Sequence, residues 1–148
     1  ISSAKFKGSL YKKSSLLILK PSTFMNASGQ SALIVREFYK PERVMVAHDD
    51  IDLNLGDLRF KLGGSSGGHN GIKSLDAMIG NQYERIRIGV GRGECGVIDF
   101  VLGKFSDDEK ALLDPVLQSA KSAVYSALNG ADIKELSSKF SLKAKKQN

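Results

Sequence analysis

The order of apolar and polar positions along the chain predicts strands alternating with helices. Residues 4–11 and 14–20 read as two strands around a Lys-Ser-Ser turn, and Pro21 ends the second. A loop over 22–28 leads into a helix over about 29–39, where Ala32, Val35, Phe38 and Tyr39 fall at helical spacing and Pro41 stops it. Residues 44–47 form a short apolar strand running into His48, Asp49 and Asp50, and residues 57–62 alternate as another strand. Residues 63–71, Gly-Gly-Ser-Ser-Gly-Gly-His-Asn-Gly, are too rich in glycine for regular structure. Ile72, Leu75, Met78 and Ile79 then repeat with helical period, and residues 84–90 alternate with Ile86, Ile88 and Val90 on one face. Ser106 and Glu109 make a capping box. It opens a long helix with Leu113, Val116, Leu117, Ala120, Val124 and Leu128 on one stripe, ended by Gly130. A last helix spans about 132–140.

Alternation of strands and helices from residue 14 to about residue 90 argues for an α/β fold with helices on the faces of a sheet. Ligands of such sheets sit beyond the carboxyl ends of strands. That rule directs attention to Asn26, to residues 48–52 and to the glycine loop.

Length and composition narrow the class. The 148 residues fit one domain, with no internal repeat or linker. The longest clear apolar run, residues 16–19, is far too short to span a bilayer. With one cysteine, Cys95, the chain cannot form an internal disulfide, and no secretory signal opens it, so a cytoplasmic location is expected. The formal charge of +6 raises the prior for a polyanionic partner such as nucleic acid. Part of that excess is Lys143, Lys145 and Lys146, in a polar tail over 141–148 that reads as disordered.

Several groups of residues could carry chemistry, and each has a plainer reading. Backbone amides of the glycine loop could hold an anion ahead of a helix, or the loop could simply be flexible surface. It is not a Walker loop, because Ile72 separates Gly71 from Lys73 and Ser74. His69 and Asn70 give it hydrogen-bonding groups where the helix starts. Gly91-Arg92-Gly93-Glu94-Cys95-Gly96 has the letters of a dinucleotide fingerprint, but no second strand follows to complete the unit, so a turn is the better reading. His48, Asp49, Asp50 and Asp52 could orient a histidine or grip a metal, or be turn-forming residues at a strand end. Two histidines and one scattered cysteine make a metal site the weaker option. Met25 and Asn26, in a strand-to-helix loop, read alone as core filler and a helix-start residue. Arg59 with Lys61, and Arg85 with Arg87, each share a strand face; together they could bind phosphate, or be solvated.

Taken together, these segments resemble the bacterial-type peptidyl-tRNA hydrolase family. The resemblance rests on Lys20-Pro21-Ser22-Thr23-Phe24-Met25-Asn26-Ala27-Ser28-Gly29 and on His48-Asp49-Asp50-Ile51-Asp52-Leu53. It continues through Phe60-Lys61-Leu62-Gly63-Gly64, Gly67-Gly68-His69-Asn70-Gly71, Arg85-Ile86-Arg87-Ile88-Gly89 and Val101-Leu102-Gly103-Lys104, in family order. The resemblance implies one monomeric α/β domain over 1–140, with a mixed twisted sheet sandwiched between helices. It implies hydrolysis of the ester joining a peptide to the ribose of tRNA, with no metal, no cofactor and no membrane. It further implies that Asp49 orients a general-base histidine, and that Asn26 and Asn70 hold the peptide, its carbonyl or the attacking water. Met25, Gly67, Gly68 and His69 line the cleft, and Lys61 and Arg87, helped by Arg59, clamp the tRNA 5′-phosphate.

In the family the base histidine and a neighbouring asparagine precede the residues matched here, in a segment that also supplies a strand. His48 and His69 match other positions, so the chain from Ile1 onward is expected to lack the base, to be inactive alone and to leave a sheet edge exposed. Two alternatives remain. One is an inactive RNA-binding module on the same fold. The other, weaker, is a metal phosphohydrolase using Asp49, Asp50 and Asp52.

Overall fold

A computed structural model of the chain describes residues 2–3, 6–21, 27–91 and 106–144. Its elements follow the order β1 (Ser2–Ser3), β2 (Gly8–Lys13), β3 (Leu16–Pro21), α1 (Ser28–Tyr39), β4 (Met45–Asp50), β5 (Leu58–Leu62), α2 (Asn70–Ile79), β6 (Glu84–Gly89), α3 (Asp107–Leu128) and α4 (Ile133–Phe140). The fold is α/β, as the alternating pattern predicts, and includes a mixed sheet, as the resemblance implies. Contacts gather in two compact units.

One unit comprises Ile1–Val44 and Gly63–Tyr83. Its sheet is antiparallel in the order β1-β2-β3, with Ser14 in the left-handed region at the hairpin turn. The strand predicted over 4–11 begins at Gly8, and residues 6 and 7 form a turn before it. Phe6, Leu10 and Val35 make the core between hairpin and helix, with Leu17, Leu19, Ile34 and Tyr39 packed around them. Phe38, predicted on the buried stripe, is 55% exposed, although its ring stacks edge-on with Phe6 and Tyr39.

Helices α1 and α2 cap one another. Ala27 cannot cap α1 with its side chain, and the hydroxyl of Ser74 on α2 accepts from the Gly29 amide at 2.8 Å. In return, Arg36 on α1 donates to the Ile79 carbonyl near the end of α2 at 3.0 Å. These contacts satisfy backbone groups that a helix end leaves unpaired. Gly29 permits the close approach, since a Cβ there would lie 2.1 Å from the Ser74 carbonyl oxygen.

The other unit comprises Met45–Leu62 and Glu84–Asn148. Its sheet has the order β4-β6-β5, with β4 parallel and β5 antiparallel to β6. Leu58, Phe60 and Ile86 on one face pack with Val116, Ala120 and Ala123 of α3 and Leu136 of α4. The predicted capping box of α3 is present: Ser106 accepts from the Glu109 amide, and Glu109 accepts from the Ser106 amide. The buried stripe of α3 is narrower than predicted. Leu117 and Leu128 are largely exposed, because small alanines make the close contact instead.

Two boundaries differ from the sequence reading in ways that matter for the site. Strand β4 continues through Asp50, because pairing with β6 runs as far as Asp50 opposite Gly89. Asp49 therefore lies in the strand rather than past it. The tail predicted from 141 is also corrected at its start. Leu142 pairs with Leu58 by two backbone hydrogen bonds of 2.9 and 3.0 Å, and the Ala144 amide donates to the buried Asp57 carboxylate at 2.6 Å. Among the described residues, no strand pairs with the outer edge of β4.

Candidate functional site

Strand pairing sorts the candidate residues onto two faces. Successive side chains on a strand point to opposite sides. In β4, Met45 and Asp49 share the side carrying Ile86 and Ile88, whereas His48 and Asp50 share the side carrying Arg85 and Arg87. On β5, Arg59 stands opposite Arg87 and Lys61 opposite Arg85. The spacing read from the sequence thus becomes one basic face, with all four cations on the side opposite Asp49.

Those four cations are not equivalent. Arg85 is only 3% exposed, which removes it from any open patch. Arg87 is half-buried, and its Nε donates to Asp50 Oδ2 at 2.9 Å. Asp50 Oδ1 accepts from the Asp52 amide at 2.9 Å, so this carboxylate holds a guanidinium and a turn together. Arg59 Nη1 donates to the carbonyls of Leu58, at 3.0 Å, and Leu142. Lys61 is exposed near the end of β5. Sequence reasoning placed Asp50 in an acidic cluster but missed its pairing with Arg87, which requires knowing that β4 and β6 are neighbours.

The acidic cluster does not converge. Asp49 and Asp50 point to opposite faces, and Asp50 is already held by Arg87. Among the described residues, no three His, Cys, Asp or Glu side chains come together as metal ligands would. His48 uses its Nδ1–H to donate to the Asp49 carbonyl at 2.9 Å. A carbonyl accepts only, so this contact fixes the proton on that nitrogen of the neutral ring.

In the other unit, the glycine loop delivers the chain into α2. Gly63, Gly64, Gly67 and Gly68 all have positive φ, a region that side chains disfavour. Amides of Gly67 and Gly68 donate to the hydroxyls of Ser65 and Ser66, and the His69 amide donates to the Ser66 carbonyl. His69 caps α2, its Nδ1 accepting from the Ile72 amide at 3.2 Å. That contact requires an unprotonated Nδ1 and leaves the ring proton on Nε2 when the ring is neutral. Asn70 follows as the first helical residue, exposed at the helix start. Met25 and Asn26 lie outside the described residues, as do Val101, Leu102, Gly103 and Lys104.

Asp57 was read only as the start of a strand. It is 7% exposed and bonds two amides, those of Asn54 and Ala144. An aspartate bounded by Gly56 and an apolar strand is a weak sequence signal, and its partner is 87 residues away.

Comparison with known proteins gives a consistent result. The sequence model of the family described as peptidyl-tRNA hydrolase matches residues 2–148. Peptidyl-tRNA hydrolase of Campylobacter fetus is 60% identical over 144 residues, covering 97% of this chain and 80% of the relative. That of Campylobacter jejuni is 59% identical over 145 residues, with the same coverage. The crystal structure of an Arg119Gln mutant of peptidyl-tRNA hydrolase from Acinetobacter baumannii superimposes with a TM-score of 0.86 at 34% identity, over 95% of this chain and 75% of that one. A second crystal structure from that organism gives 0.81 at 33% identity, over 93% and 76%.

Proposed function

The chain belongs to the peptidyl-tRNA hydrolase family, and from that premise we propose that it hydrolyses the ester between peptide and tRNA, releasing tRNA for reuse in translation. The observation that carries this reading is identity of 60% running through 97% of the chain. We place the protein in the cytoplasm as a monomer. No described helix is long and apolar enough to cross a membrane.

Water is the nucleophile in this reading, and a histidine is the base. Asp49 orients that histidine, fixing its tautomer and favouring its charged form after proton transfer. Asn26 and Asn70 hold the peptide, its carbonyl or the attacking water. Met25, His69, Gly67 and Gly68 shape the cleft around the peptide. An ester has a reasonable leaving group, so a positioned base and polar donors near the carbonyl suffice without a metal or cofactor.

Neither His48 nor His69 is assigned as the base. By the resemblance each matches another position of the family, and each uses Nδ1 on the main chain, one as donor and one as helix cap.

Lys61 and Arg87, with Arg59, bind the tRNA 5′-phosphate. Contacts to phosphate select tRNA without reading bases. Lys61 is the cleanest test, because removing Arg87 also strands Asp50. In the intact protein, Lys61→Ala weakens tRNA binding and leaves cleavage of a small uncharged ester nearly unchanged. Equal affinity for tRNA in the variant and its parent sinks the clamp. Binding of peptidyl-tRNA by the intact protein without any cleavage would favour an RNA-binding module instead.

A further inference from the structure

The C-terminal segment is ordered against the sheet for reasons its polar sequence does not announce. Three neighbouring residues of the second unit hold it. Leu58 pairs with Leu142 through both backbone bonds, the Asp57 carboxylate accepts from the Ala144 amide, and Arg59 donates to the Leu142 carbonyl. The Leu142 side chain packs against the core cluster of Leu58, Phe60 and Ile86.

This register fixes where Lys143 goes. With Leu142 opposite Leu58 and pointing into the core, its neighbours on an extended backbone point to the other face. That face carries Arg59, Lys61, Arg85 and Arg87. Lys143 is exposed there. Two residues along a strand span roughly 7 Å. In that register Lys143 stands opposite Asp57, whose buried carboxylate is already bonded to the Asn54 and Ala144 amides, and diagonal to Arg59, so Lys61, Arg59 and Lys143 are stepped cations on one face, the last on the adjoining segment. The Leu142 carbonyl also fixes how the Arg59 guanidinium lies.

We propose that residues 141–144 form the border of the tRNA-binding face, with Lys143 meeting a backbone phosphate beside the one held by Arg59 and Lys61. The assignment rests on the function proposed above. Charge complementarity selects the occupant, since a row of cations at strand spacing suits a polyanion backbone.

The test is titration of the intact protein with tRNA between about 50 and 200 mM salt. Loss of one phosphate contact lowers the log–log salt slope by roughly 0.7 to 0.9. Over that fourfold salt range, Lys143→Ala should then lose about threefold less affinity than its parent loses. Lys143→Arg should keep the parental slope. Lys134→Ala, which removes an equal charge from an exposed position on α4, should keep it too. Unfolding midpoints close to the parent's establish that each variant is folded. An unchanged slope in Lys143→Ala, or an equal fall in Lys134→Ala, overturns the proposal. If Lys61→Ala flattens the slope while Lys143→Ala does not, the border fails and the clamp stands. If the parent neither binds nor cleaves peptidyl-tRNA, the function and the border fall together.

Discussion

Breaking the Asp50–Arg87 pair should cost more than a surface ion pair does, and a double-mutant cycle can measure by how much. The Arg87 and Asp50 side chains are 27% and 13% exposed, with 2.9 Å between Nε and Oδ2. A fully exposed pair contributes about 0–1 kcal/mol. A hydrogen bond to a charged group contributes roughly 1.5–3 kcal/mol when screened less. Partial burial places the coupling near 1.5 kcal/mol by order of magnitude. Asp50→Ala also removes the acceptor for the Asp52 amide, an exposed bond of about 0.5–1 kcal/mol. The single variant should lose about 2 kcal/mol in total, a drop in Tm of roughly 4–8 °C for a chain of this size. Urea unfolding of the parent, Asp50→Ala, Arg87→Ala and the double variant isolates the pair from the turn. Additivity of the two single losses within about 0.3 kcal/mol would refute the coupling.

Gly29→Ala should destabilise the protein by roughly 1–3 kcal/mol, as overpacking a close contact does, because the new Cβ meets backbone at Ser74. A midpoint of denaturation equal to the parent's would show that α1 and α2 separate without cost.

Local patterns made much of the fold legible, and long-range pairing hid the rest. The capping box at Ser106 and Glu109 is a local signal, and it is present as read. Alternation in residues 57–62 and 84–90 gave β5 and β6, and the two-residue spacing of Arg59 with Lys61 and Arg85 with Arg87 gave each pair its face. No local signal said that Arg59 and Arg87 stand opposite one another, that Arg85 is buried or that Asp50 holds Arg87. The same limit explains β4, whose last turn of pairing depends on β6, and the C-terminal segment. There a single leucine in a lysine-rich run is ordered by a strand more than eighty residues earlier in the chain. The glycine loop was read as a possible anion site. Its amides at Gly67 and Gly68 instead bond nearby serine hydroxyls, and His69 is drawn into capping. The resemblance to a family supplied what local physics could not, namely the roles proposed for Asp49, Asn26 and Asn70.

The most direct test of the proposed chemistry is turnover of peptidyl-tRNA by the intact protein carrying Asp49→Asn. Asparagine preserves the shape of the side chain but loses the charge that orients a histidine and stabilises its protonated form. The variant should keep its fold and its affinity for tRNA, since the basic cations lie on the opposite face of the strands. Its kcat should fall by roughly two to four powers of ten. Turnover within a few-fold of the parent, with tRNA binding intact, would contradict the assignment of Asp49 and the mechanism built on it.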